Sequence, residues 1–297
     1  QEPGQFLLTG SQQLEVTQAI SQSLAGRTAL RRLLPFTIAE CHRGGWDLST
    51  AEILFTGFYP RIHHRRLEPG QALGDYYETY VERDLRRISE IRNLSSFRHF
   101  LRLCAGRVGQ LLNLSSLGSD AGVSHTTAGN WISILEASYL VFLLQPYHPN
   151  LKKRLTKMPK LYFHDVGLAS HLLGIEKPDQ LITHPLRGSL FENLVVAEAV
   201  KRRYNQGKGS NLHFYRDSSG LEVDLVCLTA DEIVAVEVKA GATVTSSFFS
   251  NLIAFRELLP RQVKASVLVH DGADDWQRSD VQVTTPAGFR GVLDRVE

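Results

Sequence analysis

The sequence is poor in the residues that build disulfide frameworks and zinc sites. Its 297 residues include only three cysteines, Cys41, Cys104 and Cys227, and no C-x-x-C pair. Widely spaced cysteines of this kind argue against both types of site and indicate a reducing compartment. The eleven histidines likewise show no metal-ligand spacing. We therefore expect a cytoplasmic protein.

Long apolar runs and a strong net charge are missing as well. No run approaches the ~20 apolar residues of a membrane helix, and the start has no signal-peptide pattern, so we expect no membrane attachment. The chain has 33 Lys and Arg against 31 Asp and Glu. Any nucleic-acid binding must therefore come from local basic patches, each of which is more often a solvated surface when taken alone. The candidate patches are Arg61–Arg66, the arginines from Arg83 to Arg107, Lys152–Lys157 and Lys201–Arg203.

A phosphate-binding loop is also absent. The sequence contains no G-x-x-x-x-G-K followed by Ser or Thr, and it lacks the acidic strand that would hold Mg²⁺ for a nucleotide. This chain alone should therefore not hydrolyse ATP. It begins with Gln1 rather than Met, and the next dozen residues have the character of a domain interior. We expect a chain truncated at its start.

What the sequence does contain is a pair of acids on a predicted hairpin. Two aliphatic runs flank residues 229–232, which read as a hairpin loop. If Leu228 pairs with Ile233, the register places Asp224 directly opposite Glu237. Two facing carboxylates about 5 Å apart repel each other, and a divalent cation would remove that repulsion. Hard oxygen ligands suit Mg²⁺ or Mn²⁺, which can bind a phosphate and activate a hydroxide.

Lys239 follows Glu237 by two residues and so lies on the same face of the strand. Its ammonium could orient an attacking water or offset charge that develops on a phosphate. The same register also sets Lys239 opposite Glu222, so the two could form only a cross-strand ion pair of about 0–1 kcal/mol. Spacing alone does not decide between a catalytic role for Lys239 and an ion pair with Glu222.

The elements around the hairpin are predicted in the order αβββαβ. They are the helix Ser189–Tyr204, the strand Leu212–Arg216, the two hairpin strands, the helix Ser247–Leu259 and the strand Lys264–His270. With Glu192 on the first helix, Asp224 on the second strand and Glu237-Val238-Lys239 on the third, this order resembles the PD-(D/E)xK nuclease-like fold, with Val223 in place of the Pro. The resemblance implies Asp224 and Glu237 as metal ligands, Lys239 as the electrostatic group and Glu192 as an accessory acid.

The amino-terminal segment carries a second resemblance. Residues 6–11 (FLLTGS), 23–27 (SLAGR) and 34–40 (LPFTIAE) are similar, in this order, to the last part of an AAA-type ATPase core. That implies Thr9 or Ser11 as a nucleotide sensor and Arg27 as a phosphate-contacting arginine. It also implies ATP binding only in the full-length protein, with a homo-oligomer formed through the core. An ordinary strand end and an ordinary helix-terminal arginine are the alternatives.

The middle of the chain predicts three short helices with helix-turn-helix spacing. These are Phe97–Gln110, Leu114–Ala121 and Ser124–Ala137, with a tight turn at Gly122-Val123, and the strands Tyr139–Leu144 and Lys160–Phe163 would form a wing. The predicted DNA-contacting residues are His125, Thr126, Thr127 and Asn130 on the third helix and Lys152, Lys153 and Arg154 in the wing loop. The third helix carries no Arg or Lys on its first turns, so a spacer or protein-contact role stays open.

Together these patterns predict a multidomain protein of α/β and α+β class. Residues 1–40 would be the remnant of the AAA-type core, 41–96 a helical lid or linker, 97–165 a winged helix-turn-helix and 166–297 the nuclease-like domain. Two functions follow from this organisation. One is a Mg²⁺-dependent DNA endonuclease, and the other is a regulatory ATPase whose winged helix and nuclease-like domain bind DNA or a partner without cutting.

Overall fold

The computed structural model of the chain describes residue 29 and residues 31–84, 93–149, 155–230 and 232–296. Within this part of the chain it shows a mixed α/β protein with one eight-stranded sheet and eleven α-helices. Six residues singled out from the sequence lie outside the described ranges. They are Thr9, Ser11 and Arg27 near the start and Lys152, Lys153 and Arg154 in the predicted wing loop.

Short helices make up the first described region. They are α1 (Ile38–Arg43), α2 (Thr50–Thr56), α3 (Pro60–Arg65) and α4 (Pro69–Tyr76), followed by a π-helical segment at Tyr77–Asp84. Thr37 and Ser49 start α1 and α2 with reciprocal capping boxes, because each hydroxyl accepts a backbone N–H whose glutamate side chain bonds back. Such boxes satisfy two otherwise free N–H groups and fix where each helix begins.

The predicted helical trio is confirmed as secondary structure. It consists of α5 (Leu94–Gly106), α6 (Leu114–Ala121) and α7 (His125–Ala137). Gly122 takes the left-handed conformation with φ 68° and closes α6, and the Ser124 hydroxyl accepts the N–H of Thr127 to start α7. Trp131 and Leu135 of α7 are buried, and Trp131 packs edge-on against Phe97 and Phe100 of α5.

The sheet has the strand order β2-β1-β3-β4-β5-β6-β8-β7. Its strands are β1 (Val141–Pro146), β2 (Lys160–Phe163), β3 (Leu212–Arg216), β4 (Glu222–Thr229), β5 (Glu232–Lys239), β6 (Val263–His270), β7 (Trp276–Arg278) and β8 (Val281–Thr284). The pairs β1–β3, β5–β6 and β6–β8 are parallel, whereas the other neighbours run antiparallel. Every strand predicted between residues 139 and 270 is confirmed, with ends that differ by at most two residues.

Helices cover both faces of the sheet. These helices are α8 (Val166–Leu172), α9 (Arg187–Asn205), α10 (Ser250–Leu258) and α11 (Pro286–Val296), and short 3-10 turns lie at Pro178–Ile182 and Ser246–Phe249. One large hydrophobic cluster joins the early helices and α9 to one face, and a smaller one joins α10 to the other. None of the helices in the described ranges is long and apolar enough to span a membrane.

The sheet runs across the domain boundary that the sequence predicts at residues 165 and 166. Strands β1 and β2 of the predicted wing pair with β3 of the predicted nuclease-like domain. The large hydrophobic cluster likewise extends from Leu34 to Leu293. The middle and the last part of the chain therefore share one sheet and one core.

Candidate metal-binding acid site

The predicted hairpin register is confirmed, with a bulge beside it. Leu228 pairs with Ile233, as expected, and the ladder between β4 and β5 continues to Leu225 and Val236. On the other side of β4, the pairing with β3 shifts between His213 and Tyr215, so β4 contains one extra residue there. A bulge of this kind re-aims side chains and is frequent next to active sites.

Asp224 lies at this bulge, one position beyond the last β4–β5 pair. Instead of facing Glu237 across a regular ladder, it accepts a hydrogen bond from the Val238 N–H at 2.8 Å. The side chain thus substitutes for a ladder carbonyl where the two strands separate. Its Oδ1 lies 3.8 Å from Lys160 Nζ, and its charge acts on Glu192 and Glu237.

Glu237 is almost completely buried, with 2% of its side chain exposed, and its two oxygens differ. Oε1 accepts hydrogen bonds from Lys239 Nζ at 2.6 Å and from Asn251 Nδ2 of α10 at 3.1 Å. Oε2 is buried and has no hydrogen-bond partner among the described residues. A buried carboxylate oxygen without a protein partner is costly unless a water or an ion satisfies it.

The alternative Glu222–Lys239 ion pair is wrong, since the structure gives each side chain other partners. Lys239 bonds to Glu237, while Glu222 contacts Lys160 Nζ at 2.6 Å and Arg216 at 3.2 Å. The bulge in β4 accounts for the difference, because the extra residue breaks the regular facing that the prediction assumed.

Lys160, at the start of β2, is the centre of the carboxylate cluster. Only 3% of its side chain is exposed, and its Nζ lies 2.6 Å from Glu222 Oε1, 2.9 Å from Glu192 Oε1 and 3.8 Å from Asp224 Oδ1. It also lies 5.5 Å from the centre of the Phe214 ring. We call the set formed by Glu192, Glu222, Asp224, Glu237, Lys160 and Lys239 the acid site.

Helix α9 brings Glu192 to this site and holds β2 in place. The Tyr162 hydroxyl donates to Glu192 Oε1 at 2.5 Å, on the same oxygen that Lys160 contacts. The next residue, Asn193, is fully buried and clamps β2 by accepting from the Phe163 N–H at 2.7 Å and donating to its carbonyl at 3.0 Å. Two neighbouring residues of α9 therefore fix both the acid and the strand that carries its counter-ion.

Burial and mutual repulsion set the protonation of the site. Burial, and then the nearby charge of Asp224, raises the pKa of Glu192 to about 7 and that of Glu237 to about 8. Burial would lower the pKa of Lys160, but Glu192, Asp224 and Glu222 together raise it above its usual range. The pKa of Lys239 is raised in the same way, against burial, by Asp224 and Glu237. These shifts mark the acids as crowded with negative charge.

Asp224 and Glu237 carry the type of oxygen ligand that Mg²⁺ and Mn²⁺ take in proteins. Within the described ranges, no group of three or more His, Cys, Asp or Glu side chains is arranged to hold a metal ion. Mg²⁺ commonly binds through one or two carboxylates and completes its shell with waters and substrate phosphate. Asp224 and the unpartnered Oε2 of Glu237 are of this chemistry.

Two known families match separate parts of the chain. Residues 187–289 match a domain of unknown function, DUF4143, and residues 48–179 match another, DUF8612. An uncharacterised protein of Mycobacterium bovis and one of Mycobacterium tuberculosis are each similar to this chain. Each is 27% identical over 288 residues, which are 96% of this chain and 62% of the relative. The chain thus spans less than two thirds of the length of these relatives.

These matches divide the acid site between two segments. Glu192, Glu222, Asp224, Glu237 and Lys239 lie within residues 187–289, whereas Lys160 and Tyr162 lie within residues 48–179. The continuous sheet brings the two groups together. The site is therefore complete only when both segments are folded against each other.

Sequence reasoning missed Lys160, Tyr162 and Asn251 as parts of the site. A signal for Lys160 exists, because a lysine that opens the otherwise apolar strand Lys160–Phe163 must be paired if it is buried. Nothing in the local pattern of Asn251 points to Glu237, since the contact depends on how α10 packs over β5.

The predicted DNA-contacting helix is exposed at its amino end. His125, Thr126 and Asn130 of α7 are exposed, and Thr127 is half-buried, with its hydroxyl 2.9 Å from Ser124 Oγ. Asn130 lies on the next turn of the same helix. The structure brings these four residues to one end of α7, while the three basic residues predicted beside them lie outside the described ranges.

Proposed function

We propose that the acid site is the catalytic site of a divalent-metal-dependent DNA endonuclease with a PD-(D/E)xK-like arrangement. The observation that carries the proposal is the buried Glu237 Oε2, which has no hydrogen-bond partner among the described residues and lies in the field of Asp224. A cation there would satisfy this oxygen and relieve the repulsion between the two acids. When bound, it would supply a Lewis acid that lowers the pKa of a coordinated water.

The remaining residues have roles that their positions support. Lys239 is one-third exposed, so its ammonium can face a phosphate while it stays bonded to Glu237. There it would offset negative charge that develops in the transition state. Glu192, whose pKa is about 7, can take up or release a proton near neutral pH. The exposed end of α7, with a wing formed by β1 and β2, would supply the DNA-binding surface.

ATP binding enters the proposal only for a longer protein. The resemblance of residues 1–40 to the end of an AAA-type core supports it. A homo-oligomer through that core belongs to the same proposal. Calorimetry should detect no micromolar ATP binding by this chain, and such binding would refute the reading of its first segment.

A plasmid-nicking assay with Mg²⁺ or Mn²⁺ tests the nuclease proposal. The parent should nick DNA, and Asp224→Asn and Glu237→Gln should lose both nicking and metal binding. Lys239→Ala should keep metal binding but cut at least about 100-fold more slowly, because its role is in the transition state. Lys264→Ala is the matched control, since Lys264 bonds to Glu232 at 2.6 Å as Lys239 bonds to Glu237. Equal loss in both lysine variants, or no nicking by the parent, would refute the assignment.

A second function is favoured by the contacts of Lys160. Its ammonium lies within 4 Å of three carboxylates and offsets part of their charge without a metal. A site kept in this state would serve as a structural module that binds DNA or a partner without cutting. This alternative predicts no nicking by the parent and DNA binding that is indifferent to Asp224→Asn.

A further inference from the structure

Lys160 holds a position that a metal-binding site does not require. Its Nζ contacts Glu222, Glu192 and Asp224, and the shortest of these contacts involves Glu222, which has no role in the proposed chemistry. The lysine is 3% exposed, so its ammonium lies in the interior rather than in solvent. Its charge is therefore fixed beside Asp224, one of the two proposed metal ligands.

A fixed positive charge at this distance opposes a second cation. The repulsion between an ammonium and a divalent ion is stronger in a buried site than in water, because the effective dielectric constant is lower there. The contact with Asp224 is the longest of the three at 3.8 Å, whereas those with Glu222 and Glu192 are 2.6 Å and 2.9 Å. Asp224 can therefore accept another cation while Lys160 keeps its two closer partners.

We propose that Lys160 is an internal counter-ion that weakens metal binding at the acid site. Its charge offsets part of the charge of the acids when no cation is bound, and the metal is held loosely. This inference rests on the proposed metal site. The ammonium compensates the acids when no cation is present and competes electrostatically when one arrives. Because Lys160 belongs to the segment that matches DUF8612 and the acids belong to the segment that matches DUF4143, the packing of one segment sets the metal affinity of the other.

Other residues of β2 hold the strand, and with it Lys160, in position. Tyr162 and Phe163 fix β2 against α9 through Glu192 and Asn193. The backbone of Lys160 pairs with Leu144 of β1 and also forms a bridge with Leu111. The lysine is therefore held from both flanks of its strand, which is what a fixed counter-ion needs.

The test is a Mn²⁺ titration of the parent, Lys160→Met and Lys264→Met at pH 8, with free Mn²⁺ followed by electron paramagnetic resonance. Lys160→Met should bind Mn²⁺ at least about tenfold more tightly than the parent, because the competing charge is gone. Lys264→Met should bind as the parent does. Lys264 pairs with Glu232, which is seven residues along β5 from Lys239 and thus roughly 23 Å away.

Two further variants keep the outcome decisive. Lys160→Gln retains a donor toward Glu222 and is measured in case the methionine variant does not fold, and it should also bind Mn²⁺ more tightly. Lys160→Arg keeps the charge and should bind as the parent does. Equal or weaker Mn²⁺ binding by the neutral variants, with binding by the parent intact, overturns this inference and leaves the metal site standing. No Mn²⁺ binding by any of these proteins overturns both.

Discussion

Two buried lysines, Lys201 and Lys160, show how differently the molecule neutralises charge in its interior. Each is nearly inaccessible and lies over a phenylalanine ring, Phe58 at 3.9 Å and Phe214 at 5.5 Å from the ring centre. Lys201 donates to the Phe36 carbonyl at 2.8 Å and contacts Glu198 at 3.3 Å. Lys160 instead contacts three carboxylates.

The acids around Lys201 are satisfied by the backbone. Glu198 accepts from the Ile38 N–H at 2.9 Å, and neighbouring Asp165 accepts from the N–H groups of Phe58 at 2.7 Å and Leu168 at 2.9 Å. At the acid site, by contrast, Glu237 Oε2 has no hydrogen-bond partner in the described part of the chain. A buried charge cluster closed by backbone donors is structural, and one with a free carboxylate oxygen can take up a ligand.

The largest expected effect is on the free energy of unfolding, and Mn²⁺ should distinguish a variant of Lys201 from one of Lys160. Lys201→Met should lower the free energy of unfolding by about 3–5 kcal/mol, because Glu198 would be left buried without its counter-charge. Mn²⁺ should not restore this loss. Lys160→Met should also weaken the metal-free protein, but Mn²⁺ should recover its stability. Urea unfolding of both variants with and without Mn²⁺ measures this. If Mn²⁺ also restored the stability of Lys201→Met, the proposed difference between the two lysines would be contradicted.

A smaller effect is expected from the clamp on β2. Asn193→Ala should cost about 2 kcal/mol, because the N–H and carbonyl of Phe163 would lose their buried partner. Asn113→Ala is the matched control. It removes an exposed helix cap that accepts from Ser115 and Ser116, and it should cost about 1 kcal/mol. Denaturant midpoints of the two variants give the comparison. Equal losses of unfolding free energy would show that the Asn193 hydrogen bonds to β2 stabilise the protein no more than an exposed helix cap does.

The sequence predicted the order of elements and the hairpin register, because both follow from local patterns. The period-2 and helical patterns of residues 189–270 are strong, and the Leu228–Ile233 pair follows from the loop predicted at residues 229–232. The structure tightens that loop, because Thr229 and Glu232 also pair. The bulge that places Asp224 beside Val238 was not predictable, since it arises from the pairing of β4 with β3 rather than with its hairpin partner. Lys160 was missed for a similar reason, because its partners lie more than 30 residues away.

The two regions should respond in opposite directions to pH. His164, near Lys201, has its pKa lowered from 6.5 to about 3 by burial and then by Lys201 and Arg32. A lowered folded pKa gives stability that is present above about pH 6.5 and is lost as the pH falls toward 3. His164→Phe should therefore reduce the acid sensitivity of unfolding in that range. An unchanged acid limb in a pH series of unfolding curves would contradict this assignment.

Glu237 should make the free energy of unfolding fall as the pH rises. Burial and Asp224 raise its pKa from 4.5 to about 8, so its contribution to stability is present below about pH 4.5 and is lost as the pH rises through 8. Glu237→Gln keeps an oxygen for Lys239 and Asn251 and should flatten the decline between these values. Measuring the same pH series without metal tests this, and a variant that declines as steeply as the parent would count against the proposed protonation.

The most direct test of the central claim is the effect of Mn²⁺ on the unfolding of the parent and of Glu237→Gln. If Asp224 and Glu237 hold the ion, Mn²⁺ at a hundredfold excess over its dissociation constant should stabilise the parent by about 2.7 kcal/mol. The variant should show no such gain, while its metal-free stability equals or exceeds that of the parent. A parent that does not respond to Mn²⁺, or a variant that responds equally, would contradict a metal site at these two carboxylates.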